Sequence, residues 1–344
     1  MKKILFVITW FTQWWAERQI FNLLNWIKNN FNIQVIWFFD GYYKTEIENL
    51  WIKVHLIPIK SNLWIFKAVY QVNKIAKDFK PDIIQSMLPH ANIVCKLVNA
   101  LNFNNYTLLT WVRNSREPKL LEKLEKLTDR FSNKIITNSY TNKNELIKKW
   151  FNKDKIKVIY NWINFQEPKE KYNYDKKTIL TVAKFYSQKD YETNAIVIKK
   201  LSQKRDDFQV LYVWTWPDKE KIEKLVKEKN LDNIIKFLWV RDDIPELMSS
   251  TDLFFLPTKY EWQANVILEA MYYHLPILTT NIPENIESCE AIFWNVWDVD
   301  FFASKIDEFL DNKIDFEEIL SINNQKIKDF SVWKMVREYL KVYK

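Results

Sequence analysis

The sequence predicts an α/β fold built from two domains, each with a doubly wound parallel sheet. Short β-rich runs alternate with helical patterns along the whole chain, an order typical of parallel strands joined by helical crossovers. The alternation stops at the polar stretch 166–175 and then starts again. A length of 344 residues suits two domains of ordinary size. We therefore expect Rossmann-like domains at 1–165 and 166–328, followed by a helical segment at 329–344.

The first domain opens on the apolar run 4–9. We interpret it as a buried strand, because it is short for a signal peptide and no small-residue cleavage site follows. Further β-rich runs lie at 33–38, 54–57, 82–86, 106–110, 134–137 and 156–160. Helical patterns separate them at 16–29, 66–79, 91–101, 120–131 and 142–149. Ligands of such sheets bind beyond the carboxyl ends of strands, so we look for chemistry in the loops after strands.

The second domain repeats this order. Its predicted strands are 178–182, 209–213, 234–238, 253–256 and 277–279, and its predicted helices are 192–201, 219–229, 245–249, 264–273 and 301–311. A last helical pattern, 332–343, follows the second sheet. The pattern leaves its docking site open, with the first domain as one candidate.

Composition excludes several classes of protein. No apolar run is long enough to span a membrane. Cys95 and Cys289 are the only cysteines and lie far apart, which predicts no disulfide framework. The three histidines are scattered and form no zinc pattern. We expect a reducing, cytoplasmic setting.

Charge is distributed unevenly. Residues 1–170 carry 26 Lys and Arg against 14 Asp and Glu, whereas residues 171–344 carry 25 against 29. Two interpretations remain open. The first half faces an anionic partner, such as a membrane leaflet or a phosphorylated acceptor, or it simply has a lysine-rich solvated surface. Nucleic acid is disfavoured, because no basic-aromatic motif of a known reader occurs.

Glycine is nearly absent from this sequence, whereas tryptophan is abundant. The chain has one glycine, Gly41, and 17 tryptophans, although average usage is about 7% glycine. Many tryptophans stand where turns need glycine, after strands and helices and beside Asn or Asp, as Trp150, Trp162 and Trp297 do. We hypothesise that most of these letters represent glycine, through UGA codons decoded as Gly. The alternative is a truly tryptophan-rich chain, which would expose large apolar patches.

Three loops after strands carry candidate chemistry. With Trp10, Trp14 and Trp15 taken as glycine, the first loop becomes a glycine-rich turn that opens a helix and offers backbone N–H groups to an anion. In the loop after strand 178–182, Lys184 and Lys189 can both reach a phosphate pair, unless this is a solvated basic loop.

The third loop follows strand 253–256. Glu261 precedes a predicted helix, and Glu269 lies on it among apolar residues, where a carboxylate needs hydrogen-bond partners. The vicinal hydroxyls of a sugar would supply such partners. The alternative is a structural glutamate bonded to backbone.

With tryptophan read as glycine, nearly the whole chain resembles the retaining nucleotide-sugar glycosyltransferases of group 1, family 4 type, which have the GT-B fold. The resemblance rests on five segments and on the Glu261/Glu269 pair. The segments are 14–18 (Gly-Gly-Ala-Glu-Arg), 161–164 (Asn-Gly-Ile-Asn), 214–217 (Gly-Thr-Gly-Pro), 239–244 (Gly-Val-Arg-Asp-Asp-Ile) and 250–257. The resemblance implies two Rossmann-like domains that face each other across a cleft. It also supports the glycine hypothesis, because the Trp letters fall on the family's glycines.

The resemblance also implies roles for individual residues. Glu269 is similar to the residue that binds the ribose hydroxyls, and Glu261 to the residue that faces the donor sugar. Lys184 and Lys189 match the basic pair at the diphosphate, although the family usually has Arg at the first position. Trp14 and Trp15 occupy the turn near the diphosphate, and Arg241 borders the base-binding region.

The first domain departs from the family pattern. Many relatives carry a histidine after the strand at 106–110, where this chain has Arg113 nearby, so we expect Arg113 near the reacting centre. His90 follows another strand and is a candidate for the acceptor side of the cleft, although a lone histidine is more often structural. Asp298 and Asp300 form a literal Asp-x-Asp, which we interpret as a helix N-cap and not as a metal site. We expect no metal and no cofactor.

The function implied is transfer of a hexosyl or N-acetylhexosaminyl unit from a nucleotide-diphosphate sugar, with UDP expected, to an acceptor hydroxyl with retention. Envelope or lipid-linked glycan synthesis is the expected context, in the cytoplasm or peripherally at the inner face of the membrane. Two alternatives remain open. One is a nucleotide-sugar epimerase of the same fold, and the other is a carbohydrate-binding protein whose real indoles stack on sugars.

Overall fold

The structure is a computed structural model that describes residues 1–9, 15–39, 43–58, 64–112, 118–163, 166–213, 218–261 and 263–344. The chain divides into two compact units. The first unit comprises Met1–Trp162 together with Trp333–Lys344, and the second comprises Ile163–Val332. Each unit contains one parallel sheet flanked by helices, so the predicted fold class is confirmed.

The first unit contains a seven-stranded sheet in the order β3-β2-β1-β4-β5-β6-β7. The strands are β1 Lys3–Ile8, β2 Asn32–Trp37, β3 Lys53–Leu56, β4 Ile83–Met87, β5 Thr107–Trp111, β6 Lys134–Thr137 and β7 Ile156–Val158. The helices are α1 Trp15–Ile27, α2 Tyr43–Glu48, α3 Trp64–Phe79, α4 Pro89–Leu101, α5 Lys119–Leu127 and α6 Tyr140–Lys148. Helices cover β1 on both faces, which explains why its residues 4–8 are all apolar and fully buried.

The second unit contains a six-stranded sheet in the order β10-β9-β8-β11-β12-β13. Its strands are β8 Lys177–Val182, β9 Phe208–Val213, β10 Ile235–Trp239, β11 Leu253–Leu256, β12 Ile277–Thr280 and β13 Ile292–Trp294. Its helices are α7 Tyr191–Ser202, α8 Lys219–Glu228, α9 Ile244–Ser250, α10 Asn265–Tyr272, α11 Pro283–Ser288, α12 Val299–Leu310 and α13 Glu317–Lys326.

The last helix, α14 Val332–Tyr343, packs on the first unit. The Tyr343 hydroxyl donates a hydrogen bond to the Gln85 side chain on β4, and Lys157 Nζ lies 3.0 Å from Glu338 Oε2. Tyr339 is buried in the same contact. An apolar stripe and one ion pair therefore hold the C-terminus on the first sheet.

The sequence pattern misplaced some elements. The pattern 120–131 is not one helix, because α5 ends at Leu127 and a short 3-10 turn, Asp129–Phe131, follows. Thr128 Oγ1 donates to Leu124 O at 2.7 Å and so completes the end of the helix. Helices α2, α11 and α13 and strand β13 were not predicted. Strand β13 has three residues, and α2 and α11 have six each, which is too short for a clear period.

Within the described ranges, four tryptophans adopt the left-handed backbone conformation that favours glycine. Trp51, Trp150, Trp239 and Trp297 have φ between 56° and 69°. At Trp150 the reason is visible, because its N–H donates to Ile147 O and the next N–H, of Phe151, donates to Leu146 O. This pattern is the Schellman helix end, whose left-handed residue is usually glycine. The Trp150 side chain is 82% exposed and the Trp51 side chain 96%, so neither indole contributes to a core.

We predict that Trp150→Gly raises the free energy of unfolding of the chain as printed by about 1 kcal/mol, because it removes the Cβ penalty of the left-handed conformation. The measurement is urea unfolding followed by circular dichroism. Trp150→Ala is the matched control, since it removes the same exposed indole and keeps Cβ. Equal stabilisation by Ala and Gly would contradict the backbone explanation.

Candidate functional site

The candidate site lies where the strand order of the second sheet reverses. Strand β8 pairs with β9 on one side and with β11 on the other, although β11 is far along the chain. The loops after β8 and β11 therefore leave the same edge of the sheet side by side. Such a reversal is the usual ligand position in open α/β sheets. Lys184 and Lys189 lie in the first of these loops, and Glu261 lies in the second.

Lys189 and Glu261 form an ion pair between these two loops. Lys189 Nζ lies 2.5 Å from Glu261 Oε1, and their side chains are only 14% and 5% exposed. The same carboxylate oxygen accepts a hydrogen bond of 2.9 Å from Thr258 Oγ1, which also lies 3.0 Å from Gln188 O. Breaking a pair this buried leaves an uncompensated charge. The structure thus brings together two residues that the sequence predicted separately.

Asp190 links this pair to helix α7, a role that the sequence analysis did not assign to it. The residue has φ 51°, caps α7 and accepts a hydrogen bond of 2.7 Å from Thr193 Oγ1. Lys259 Nζ lies 3.2 Å from Asp190 Oδ1 and balances its charge. The Asp-x-x-Thr spacing at 190–193 is the only local sign of this cap. Because Asp190 directly follows Lys189, the cap holds the backbone next to this lysine at the start of α7.

A cavity of about 230 Å³ adjoins this loop. Its lining includes Tyr186, Ser187 and Asp190 from the β8 loop, Lys221 from α8, and Lys259 from the β11 loop. The lining also includes Glu192, Asp218 and Glu228, so acids and lysines are mixed in it and its charge indicates no preference for an anionic ligand.

Lys184 and Glu269 are both half-buried at the same edge of the sheet. The backbone N–H of Tyr186 donates to Lys184 O at 2.7 Å, which closes a three-residue turn centred on buried Phe185. Glu269 lies in α10 between buried Leu268 and Ala270. Together with burial, its charge helps to raise the pKa of Tyr273 to about 12. Glu269 is therefore flanked in sequence by buried residues, and its role at the ribose stays a prediction.

Arg241 follows β10 and is held by a neighbouring acid. Its guanidinium binds both carboxylate oxygens of Asp243, at 2.7 and 2.5 Å, and Tyr172 Oη donates to the same carboxylate. Hydrogen bonds from Arg241 lower the pKa of Asp243 to about 2, and the bond to Asp243 raises the pKa of Tyr172 to about 12. The structure therefore gives Arg241 a structural partner that the prediction of a base-binding role did not include.

In the first unit, His90 lies at the start of α4, after β4, where the strand order of that sheet reverses. Its ring is half-buried against Trp64, with centroids 5.3 Å apart, and burial lowers its pKa. Its Nδ1 is buried and has no hydrogen-bond partner among the residues that the structure describes. Thr9 Oγ1, which the sequence did not single out, accepts from Ala91 N at 3.1 Å beside it.

The remaining predicted residues are described in part or not at all. Arg113 and Trp14 lie outside the described residues, as do Trp10, residues 214–217 and Trp262. Trp15 is the first residue of α1. Asp298 caps α12, with Oδ1 accepting from Phe301 N at 3.0 Å, so the capping prediction is confirmed. The described residues include no cluster of three or more His, Cys, Asp or Glu arranged for a metal.

Both halves of the chain match glycosyltransferase families. Residues 163–327 match the glycosyl transferases group 1, and residues 16–167 match the Glycosyltransferase Family 4. A relative described as an uncharacterized glycosyltransferase of Methanocaldococcus jannaschii is 25% identical over 81% of this chain and 75% of its own length. The capsular polysaccharide biosynthesis glycosyltransferase CapH of Staphylococcus aureus is 21% identical over 85% of this chain and 84% of its own length.

Solved structures share the fold over the whole chain. The Anabaena protein Alr3699/HepE, solved in complex with UDP, aligns with a TM-score of 0.83 at 18% identity and covers 99% of both chains. The lipopolysaccharide outer core galactosyltransferase WaaB aligns with a TM-score of 0.80 at 15% identity over 98% of both chains. Both alignments agree with the predicted fold of two parallel-sheet domains.

None of the helices in the described ranges combines the length and apolar character that crossing a bilayer requires.

We predict that Lys189→Met lowers the free energy of unfolding by about 3 kcal/mol, because it leaves the Glu261 carboxylate buried and unpaired. The double variant Lys189→Met/Glu261→Gln should regain most of this loss. Lys305→Met is the control, because its pair with Glu308 is more exposed and should contribute little to stability. Equal losses in Lys189→Met and Lys305→Met, measured by urea unfolding, would argue against a buried charge pair.

Proposed function

We propose that this chain, a group 1 glycosyltransferase, moves a hexosyl or N-acetylhexosaminyl unit from a nucleotide-diphosphate sugar to an acceptor hydroxyl with retention of configuration. The observation that carries the proposal is the Lys189–Glu261 pair at the strand-order reversal of the second unit. It places a cation and a carboxylate together at the edge where ligands of parallel sheets bind. A diphosphate needs the cation, and a sugar hydroxyl needs the carboxylate.

UDP is the proposed nucleotide. HepE, whose fold this chain shares, was solved with UDP and, in another crystal, with UDP-glucose. Glu269 would accept hydrogen bonds from the ribose hydroxyls, and Lys184 and Lys189 would bind the diphosphate. Arg241, held by Asp243, would border the base, and Trp14 and Trp15 the diphosphate turn. His90 and Arg113 are proposed for the acceptor side and the reacting centre.

Stabilising negative charge on the departing diphosphate is the main chemical task. We propose that Lys184, Lys189 and backbone N–H groups perform it without a metal ion or cofactor. Glu261 holds Lys189 in one orientation, so little reorganisation of the lysine is needed as charge develops on the diphosphate. Glu261 then faces the donor sugar. The acceptor oxygen bonds to the anomeric carbon on the face from which the diphosphate leaves, and the proton of the acceptor hydroxyl passes to the departing diphosphate.

The acceptor we propose is an envelope or lipid-linked glycan at the inner face of a membrane. CapH is named for capsular polysaccharide biosynthesis. A shorter match, 28% identical over 34% of this chain, is a galactosyltransferase named for a diphosphoundecaprenol-linked acceptor in Escherichia coli. An epimerase of the same fold is separated from a transferase by whether labelled sugar moves to an acceptor or is isomerised on the nucleotide.

We predict that Glu269→Ala raises the Kd for UDP by roughly thirtyfold, since a hydrogen bond to a charged group contributes about 2 kcal/mol. Thermal shift with UDP measures this directly, before the sugar or acceptor is known. Glu318→Ala is the matched control, because Glu318 is exposed on α13 of the same unit. If UDP stabilises Glu269→Ala as strongly as the unmodified chain, the ribose role is wrong. The same assay in EDTA tests metal-independent binding.

We also propose that most of the tryptophan letters are glycine in the natively produced protein. Support comes from the four tryptophans in the left-handed conformation and from Trp letters that coincide with the family's glycines. Trp37, Trp111 and Trp162 are different, because they are buried. Glycine there would require other side chains to fill the space.

Intact mass of natively produced protein tests this proposal. Recoding lowers the mass by the same fixed amount for each tryptophan replaced, and peptide sequencing across 51, 150, 239 and 297 identifies the positions. We expect glycine at all four. Tryptophan at these positions would overturn the proposal and would favour the alternative of a sugar-stacking protein.

A further inference from the structure

The outer face of helix α3 carries exposed aromatic and basic side chains. Phe66 is 73% exposed and Tyr70 is 69% exposed, one helical turn apart. Lys67, Lys74 and Lys77 are exposed on the same helix. None of these lysines forms an ion pair with a residue that the structure describes. The opposite face of α3, with Ala68, Val72 and Ala76, is buried in the core.

Helix α5 continues this surface with the same chemistry. Leu120 and Leu127 are exposed on it, and so are Lys119, Lys123 and Lys126. Helix α4 lies between α3 and α5, because Asn102 at its end donates to Asn73 of α3 and Lys96 Nζ donates to Glu125 O of α5 at 2.9 Å. All three helices therefore cover one face of the first sheet.

The acids of α5 are withdrawn from this surface. Glu125 is buried beside Lys96, and Glu122 is paired with Lys149 at 2.5 Å. On α3, Asp78 is the one acid in the described helix. The outward face of α3 and α5 is consequently basic and apolar at once. Phe103, 90% exposed after α4, adds a further aromatic ring at its edge.

We propose that the α3–α5 face is a docking surface for an anionic lipid leaflet, with Phe66 and Tyr70 entering the headgroup region and the lysines binding the lipid phosphates. Charge complementarity carries the choice of occupant, since lysines attract anionic lipid and aromatic rings prefer the membrane interface. Docking there would bring the enzyme to a lipid-linked acceptor in the membrane, and to that extent the inference rests on the proposed function.

The test is flotation with phosphatidylcholine vesicles, with and without about one-third phosphatidylglycerol, in the absence of donor and acceptor. The full chain should float only with the anionic vesicles. The triple variant Lys67→Glu/Lys74→Glu/Lys77→Glu should bind them about a hundredfold more weakly, because each lysine contributes roughly fivefold near an anionic leaflet. Phe66→Ala/Tyr70→Ala should also bind more weakly, with the difference persisting at high salt, where lysine attraction is screened.

The matched control is Lys227→Glu/Lys236→Glu/Lys328→Glu, which reverses three exposed lysines of the second unit. It should keep nearly full vesicle binding. Equal loss in both triple variants, equal flotation with both lipid compositions, or no flotation would overturn the proposal. UDP thermal shift is measured on every variant. Vesicle binding without UDP stabilisation would contradict the proposed function and leave this inference standing. UDP stabilisation without vesicle binding would contradict this inference and leave the proposed function standing.

Discussion

The adjacency of β8 and β11 is the constraint on which the candidate site depends. These strands are neighbours because the crossovers of the second unit run in one direction from β8 and then return to its other side. Only this reversal brings Gln188 against the 258–259 backbone, where Lys259 N donates to Gln188 O at 2.8 Å. The loop positions then place Lys189 on Glu261. A buried ion pair adds little net stability in general, so its value here lies in holding the lysine in one orientation.

The sequence predicted most strands because a parallel sheet covered on both faces needs continuous apolar runs, which are easy to see. It missed β13 and α2, which are too short to show a period. For the site, the sequence analysis proposed Lys189 and Glu261 as candidate residues. It did not predict their contact, because that contact depends on which strands pair. The left-handed cap at Asp190 was likewise invisible, because backbone conformation at a non-glycine residue is set by its surroundings.

Backbone conformation separates the tryptophans into two groups. Trp150 and Trp51 have the left-handed backbone conformation that glycine adopts most easily. Both are also exposed, so their side chains pack against no core. Trp37 is fully buried on β2, where extended backbone suits any residue and the side chain fills space. The left-handed residues that are not tryptophan include Asn104, Asn230 and Asn312, the type best tolerated there after glycine. Trp51, Trp150 and Trp297 share this conformation with other bulky residues, Leu88 and Phe103, and as exposed residues they gain no burial in compensation. Trp239 differs, because it is half-buried and stacks on Phe237.

Helices α5 and α8 show how packing turns similar sequences into different surfaces. Both alternate lysine with glutamate, as Lys-Leu-Leu-Glu-Lys-Leu-Glu-Lys-Leu and Lys-Glu-Lys-Ile-Glu-Lys-Leu-Val-Lys-Glu. In α8 the acids stay at the surface, and Lys224 lies 3.6 Å from Glu228. In α5, Glu125 is buried against the fully buried Lys96 of α4, and burial raises the pKa of this acid and lowers that of the lysine. One internal lysine thus draws an acid away from the outer face of α5, so the charge of this face depends on core packing as well as on composition.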